Sequence, residues 1–320
     1  MDYAIGVDIG GTKVQFAVVN RQGEIVSRYL VPTEADKGAG QLMDKLLSGI
    51  DRMMNAARQH GKVCGIGIGS AGQIDYREGV VLYAGDTLPG WTGVPIKQLV
   101  SNRFGHKVYV DNDVNVIAFA EKRYGAGIGY SNFVCLALGT GIGGAVMESG
   151  RLLRGVFGGA GELGHVCVDV NGPRCSCGNN GCIELYASGS GIARIGREMQ
   201  GNGSALYSWK PHSRDIIHAW LHNDEGATLV MTKVIRALGA AIAGYIHTFN
   251  PEAILIGGGV AEAGPRFFAE LEQEVDVRTS SYMRKCCRII PAGLGVDAGV
   301  IGAAALVWNH AEEACIHYVI

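Results

Sequence analysis

The chain reads as an α/β protein of two domains, a duplicated fold with a cleft between its halves. Three observations carry this. At 320 residues the chain has the length of about two domains. A unit of strand, glycine-rich hairpin and strand occurs twice, at 3–19 and again at 133–147. Short apolar runs alternate with stretches whose apolar residues recur at helical spacing, the pattern of sheets covered by helices. Two copies of one unit in a chain of this length point to duplication.

Taken in order, residues 3–7, 14–19 and 24–31 are apolar runs of strand length, and Asp8-Ile9-Gly10-Gly11-Thr12-Lys13 joins the first two. Leu42, Leu46, Ile50, Met53 and Ala57 share one face of a helix over 40–59, followed by a buried strand at 63–69. A turn-rich piece runs from Gly72 to Trp91. The spacing then predicts a helix near 95–104, a strand at 107–110 and a helix opening at Asp113. In the second half a strand at 133–138 enters the turn Gly139-Thr140-Gly141-Ile142-Gly143-Gly144, and a short strand leaves it. A helix at 227–249, a strand at 253–257 and helices near 265–275 and 298–309 complete the pattern, while the polar stretch 200–226 carries little signal.

Composition narrows the function classes. A hydrophobic share of 48% with 18% charged residues describes a well-buried globular chain, not a disordered one. Net charge is −2 with no block rich in Lys or Arg, so the electrostatic footprint of a nucleic-acid binder is missing and no nucleic-acid partner is expected. The first residues lack the basic and apolar regions of a signal peptide. No stretch of about 18 uncharged apolar residues occurs, because Lys233 and Arg236 interrupt 227–249. The expectation is a cytoplasmic protein, not a membrane one, with reduced cysteines.

The glycine loops are the first chemical signal. Gly67, Gly69, Gly72 and Gly139, Gly141, Gly144 both spell GxGxxG, the dinucleotide signature. That motif needs a helix starting in the turn, since the helix N-terminus holds the pyrophosphate. Neither segment continues with a helical period, and a Walker loop is absent. The better reading is hairpins whose backbone N–H groups wrap phosphate oxygens. Asp8 would then approach the metal of a Mg2+-nucleotide, with Gly10 and Gly11 in the turn, and Thr12 and Thr140, beside Gly141, would offer hydroxyls. Lys13 would supply a charge, or stand as an ordinary exposed turn lysine. Gly257, Gly258 and Gly259, at a strand end, could lie flat under an adenosine.

The densest chemistry lies at 162–184. Cys175, Cys177 and Cys182 fall within eight residues, ten positions after His165, with Glu162 and Glu184 flanking the set. Three thiolates and an imidazole are the closed donor set that structural Zn2+ prefers, and Gly178 and Gly181 would let the chain turn between ligands. Packed thiols are the plain alternative; a disulfide between 175 and 177 is disfavoured by its short span. Cys64, Cys135, Cys167, Cys286, Cys287 and Cys315 mostly sit in apolar runs and read as packed thiols. In Val110-Asp111-Asn112-Asp113-Val114-Asn115, Asp113 stands where a strand enters a helix. It is either a helix cap or, beside phosphate loops, the carboxylate that takes a hydroxyl proton as that oxygen attacks a γ-phosphate.

Asp-Ile-Gly-Gly-Thr-Lys at 8–13, Asn-Asp at 112–113, Leu-Gly-Thr-Gly-Ile-Gly-Gly at 138–144, Glu-Leu-Gly-His at 162–165 and Cys-Ser-Cys-Gly-Asn-Asn-Gly-Cys-Ile-Glu at 175–184 resemble, in order, the motifs of the ROK family of sugar kinases and sugar-responsive repressors. The resemblance implies an actin-like, hexokinase-like (ribonuclease H-like) fold with ATP and a hexose in the cleft. The expected domains are 1–118 with 300–320, and 119–299. It implies Asp113 as catalytic base, and Gly72, Asn112, Glu162, His165 and Glu184 as sugar-binding residues. His165 would serve both zinc and sugar. Repressor members carry a helix-turn-helix ahead of the first glycine motif, which here begins at Asp8, so the enzyme branch is expected. Leu88-Pro89-Gly90-Trp91 resembles the loop of bacterial glucokinases and favours glucose, phosphorylated at its 6-hydroxyl. Ala71 and Thr87 depart from that pattern, and Arg77-Glu78-Gly79 resembles N-acetylmannosamine kinases. An N-acetylhexosamine (N-acetylmannosamine or N-acetylglucosamine) kinase and a non-catalytic sugar sensor therefore stay open. A homo-oligomer, dimer or tetramer, is the expected assembly.

Overall fold

The computed structural model describes residues 1–201 and 212–316. The side chain of Cys315, residues 202–211 of the polar stretch and residues 317–320 of the expected first domain lie outside that description. The chain forms two compact units: Met1–Ile128 with Arg154–Ala160 and Leu294–Ile320, and Gly129–Leu153 with Gly161–Gly293.

The first unit opens with β1 (Asp2–Ile9), β2 (Lys13–Asn20) and β3 (Ile25–Pro32), an antiparallel meander. Helix α1 (Gly38–Ala57) buries Leu42, Leu46, Ile50, Met53 and Ala57, the stripe expected from the sequence. Strand β4 (Lys62–Ser70) runs parallel to β1. The turn-rich piece then folds as a small hairpin, β5 (Gln73–Asp75) with β6 (Val80–Tyr83). After α2 (Ile96–Phe104), β7 (Val108–Asn112) joins β4 in parallel and runs directly into α3 (Asp113–Tyr124). Strand order is β3-β2-β1-β4-β7. Both faces of β1 are covered: Tyr3, Ile5, Val7 and Ile9 point into the cluster with α1, and Ala4 into a second one.

The second unit repeats this plan. Strands β8 (Phe133–Leu138), β9 (Ile142–Glu148) and β10 (Arg151–Leu152) form a meander. Helices α4 (Glu184–Ala187), α5 (Gly189–Gly201), α6 (Ser213–Leu221) and α7 (Glu225–Phe249) follow. Then come β11 (Ala253–Gly257), α8 (Pro265–Asp276), α9 (Ser281–Cys286) and β12 (Arg288–Pro291). The sheet order β10-β9-β8-β11-β12 is that of the first sheet position by position, with antiparallel and parallel pairings in the same places. The duplication expected from two glycine hairpins thus extends to all five strands. Among the described residues α7 is the one helix long and apolar enough to cross a membrane by length and composition. Its apolar residues, Val230, Met231, Val234, Ile235, Leu238 and Ile242 among them, are buried in the core against β8 and β11. Asp224 caps it by accepting from the Ala227 N–H at 2.8 Å.

Helix α10 (Ala298–Ile316) returns to the first unit and lies on β1 and β4. Its approach explains Gly67, where a Cβ would lie 1.7 Å from the Ala303 carbonyl oxygen, while a Cβ on Gly69 would lie 2.6 Å from Val116 Cγ2 of α3. Both glycines are strand residues that make room for a packed helix, not a dinucleotide turn. The second GxGxxG enters strand β9, again without a helix.

Candidate active site

In the first unit the glycine turn between β1 and β2 is pinned at three places. The Gly10 N–H donates to the Lys13 carbonyl at 3.1 Å, the Thr33 hydroxyl to the Gly10 carbonyl at 2.6 Å, and the Thr33 N–H to the Thr12 carbonyl at 3.0 Å. Thr33 is a buried clamp that no motif announced. Thr12 and Lys13 are exposed, and a Cβ on Gly11 would lie 3.0 Å from Thr87 Cγ2. Asp8 ends β1 against the first turn of α10, where a Cβ on Gly299 would lie 2.4 Å from its Oδ2. Its carboxyl is pushed up to about 7, chiefly by burial and next by the charge of Asp113, with Lys13 pulling the other way.

The strand-to-helix turn after β7 separates the two readings of Asp113. The cap is Asn112, whose Oδ1 accepts from the Val114 N–H at 2.9 Å and the Asn115 N–H at 3.1 Å. Asp113 is the first residue of α3, its Oδ1 3.0 Å from the Val114 N–H and within electrostatic reach of Asp8. A carboxylate there is favoured by the helix dipole. Asn112 Nδ2 donates to the Gly72 carbonyl at 3.0 Å. Gly72 has φ +105°, and a Cβ there would lie 2.5 Å from the Tyr83 carbonyl oxygen, so the position is closed to a side chain. Leu88 and Trp91 of the Leu-Pro-Gly-Trp loop are buried, and the Trp91 indole donates to the Ser70 hydroxyl at 3.1 Å.

In the second unit the remaining motifs gather on one sheet end. His165 with Cys175, Cys177 and Cys182 form a four-ligand cluster, their ligand atoms all within 4.8 Å of one another. His165 presents Nδ1 to Cys175 Sγ at 3.6 Å, and Cys177 Sγ lies 3.5 Å from Cys182 Sγ. The donor set and spacing fit one tetrahedral divalent ion. Gly178 and Gly181 take φ +98° and +62°, turning the loop between ligands. The Cys177 thiol is held below its usual range, first by the backbone hydrogen bond with Asn179, while burial pushes Cys182 up. Among the described residues no cysteine forms a disulfide; Cys135 and Cys287 are buried and Cys286 is exposed.

The Glu162–His165 turn sits directly on β9. A Cβ on Gly164 would lie 2.0 Å from the Ile142 carbonyl oxygen, and the buried Tyr245 hydroxyl donates to the Leu163 carbonyl at 2.6 Å. Glu162 is exposed, its Oε2 4.0 Å from His165 Nε2. Glu184 reaches the second glycine turn: its Oε2 accepts from the Ile142 N–H at 2.9 Å, and a Cβ on Gly141 would lie 2.4 Å from that oxygen. The Gly189 N–H donates to the Gly139 carbonyl at 2.8 Å and the Ser190 N–H to that of Thr140 at 3.3 Å. The cysteine loop and the turn with Thr140 and Gly141 are therefore one connected body. Gly257–Gly259 lies beside them: β11 pairs with β8, the Val260 N–H donates to the Leu138 carbonyl at 3.1 Å, and Gly258 has φ +88°. The residues missed from sequence, Thr33 and Tyr245, act through hydroxyl and backbone groups and carry no motif.

The model of the ROK family matches residues 4–310. A glucokinase of Thermotoga maritima is 37% identical over 311 residues, covering 95% of this chain and 96% of that one. The crystal structure of a ROK family glucokinase from Streptomyces griseus in complex with glucose and AMPPNP superposes with a TM-score of 0.82 at 32% identity, over 95% of this chain and 98% of that one. The ROK hexokinase of Thermus thermophilus gives 0.82 at 29% identity, over 97% and 99%. The fold is the two-domain α/β fold of these sugar kinases, the actin-like class expected from the motifs. The chain belongs to the ROK family.

Proposed function

We propose that the chain is an ATP-dependent hexose kinase that phosphorylates glucose at its 6-hydroxyl. The observation that carries the reading is Asp113 itself: a carboxylate on the first residue of a helix, beside Asp8 and a pinned glycine turn, in a chain similar over nearly its whole length to glucokinases. Asp113 accepts the 6-hydroxyl proton as that oxygen attacks the γ-phosphorus of ATP. Mg2+ bound with ATP would neutralise phosphate charge, and Asp8, buried beside Asp113, is the carboxylate that would approach it. Gly10, Gly11, Thr12, Lys13, Thr140 and Gly141 contact the phosphates, and Gly257–Gly259 the adenosine.

Glu162, His165 and Glu184 hold sugar hydroxyls. Asn112 spends Oδ1 on the helix head and one N–H on Gly72, which leaves it one N–H to donate to sugar, with Gly72 close to the ring. His165, Cys175, Cys177 and Cys182 would hold Zn2+, which would keep the thiols deprotonated and fix the imidazole, whose Nδ1 lies toward Cys175 and Nε2 toward Glu162. Metal analysis should return one zinc per chain. Free cysteines support a reducing, cytoplasmic setting. A homo-oligomer is the proposed assembly, read by sedimentation.

The test is ADP release with a panel of hexoses. Glucose should give the highest kcat/KM, above mannose, N-acetylmannosamine and N-acetylglucosamine. Preference for an N-acetylated sugar would overturn the substrate, and release from none would overturn the enzyme reading in favour of a sensor.

A further inference from the structure

The segment 154–160 leaves one compact unit between β10 and Gly161 and belongs to the other. Its two large apolar residues do not hold it there: Val156 is 98% exposed and Phe157 53%. The Arg154 side chain does. Its Nη1 lies 2.7 Å from Asp111 Oδ2, a close ion pair. The guanidinium stacks on the Tyr76 ring, 3.9 Å from its centroid. The Ala160 N–H closes the segment onto the Arg154 carbonyl at 3.2 Å, and Gly158 passes so near β5 that a Cβ would lie 2.5 Å from the Ile74 carbonyl oxygen.

Asp111 is buried, and the hydrogen bonds its Oδ1 accepts serve the turn that follows. Its Oδ1 accepts from the Asn112 N–H at 2.8 Å and from Asn115 Nδ2 at 3.0 Å, on either side of Asp113. A buried carboxylate needs a cation, because an unpaired one costs several kcal/mol. Among the described residues Arg154 is the cation paired with it. Without that cation the buried carboxylate is left uncompensated, and it is the acceptor that fixes the backbone of Asn112 and the head of α3.

We infer that Arg154 is a positioning residue for phosphoryl transfer, its pairing with Asp111 holding the turn that presents Asn112 and Asp113. This rests on the kinase reading. Neither member of the pair is among the residues proposed to contact ATP, so its loss should appear in kcat more than in the KM for ATP. A misplacement of about 1 Å costs on the order of 100-fold in rate.

The experiment compares wild type, Arg154→Met and the double variant Arg154→Met/Asp111→Asn in glucose-dependent ADP release, with calorimetric titration of glucose to count binding-competent chains. Arg154→Met should lower kcat about 30- to 100-fold, keep the KM for ATP within about two-fold and keep glucose stoichiometry near one. Removing the orphaned charge as well should recover about five-fold or more of kcat, since replacing both members of a buried pair is far milder than removing one. A wild-type kcat in Arg154→Met overturns the inference. So does a loss of kcat that follows the loss of binding-competent chains, or a double variant no faster than the single one. No glucose-dependent ADP release from the wild type would instead remove the kinase reading, and this inference with it.

Discussion

At the scale of single residues, Asp8 shows most clearly how a proposed functional position opposes stability. Its carboxyl titrates near 7 in the folded chain, far above the ordinary carboxylate range, because it is buried beside Asp113. For a raised pKa the sign follows directly: stability is fully present below the unfolded value and is lost as pH rises through about 7. The loss is at most on the order of 4 kcal/mol, less whatever solvent screens. Asp8→Asn should therefore melt several degrees above the wild type at pH 8.5 and level with it near pH 4, while losing kinase activity. Thermal melts across pH check this, and an Asp8→Asn variant less stable at pH 8.5 would contradict it. Glu184 is a second residue with two duties. Its link to the Ile142 N–H ties it to the phosphate turn as well as to the proposed sugar contact. Glu184→Ala should raise the KM for ATP as well as that for glucose, by about three-fold or more for ATP on the loss of a charge-assisted hydrogen bond. Steady-state kinetics with each substrate varied reads both.

At the scale of elements, the cysteine loop, the Glu162–His165 turn and the β8–β9 turn stand or fall together. Gly164 packs on the β9 backbone without room for a methyl group. Gly164→Ala should cost about 2 kcal/mol or more and release the metal more readily to a chelator, measured by melting and by a zinc indicator. Chelation of the wild type should abolish glucose binding along with loosening the loop, read by calorimetry. These contacts also show what the sequence could and could not convey. The glycine turns and the Cys3His set stood out in the sequence because donors and glycines at fixed spacing are rare in a core. Helix α1 and strands β1, β2 and β4 were legible because each carries a full period of buried residues. The β5–β6 hairpin was not, since strands of three and four residues are too short to alternate. Helix α9 buries nothing and α4 has four residues, so neither shows a period. Helix α5 hides behind glycines at 189, 191 and 196. Arg154 was silent because its partner, Asp111, is 43 residues away in a different part of the chain.

At the scale of the whole molecule, two glycine hairpins pointed to a duplication, and the two sheets carry it through five strands in one order. Each unit has its own buried core, and α7, apolar enough to span a membrane, is spent on the second. Heating should accordingly depart from a single two-state transition, with zinc removal lowering the transition of the second unit; calorimetry compares the van't Hoff and measured enthalpies. The measurement that bears most directly on the central claim is glucose-dependent ADP release by the wild type and Asp113→Asn side by side. The account predicts a wild type active on glucose and a kcat lower by about 1,000-fold in Asp113→Asn, with glucose affinity within a few-fold. Full activity in Asp113→Asn would contradict it.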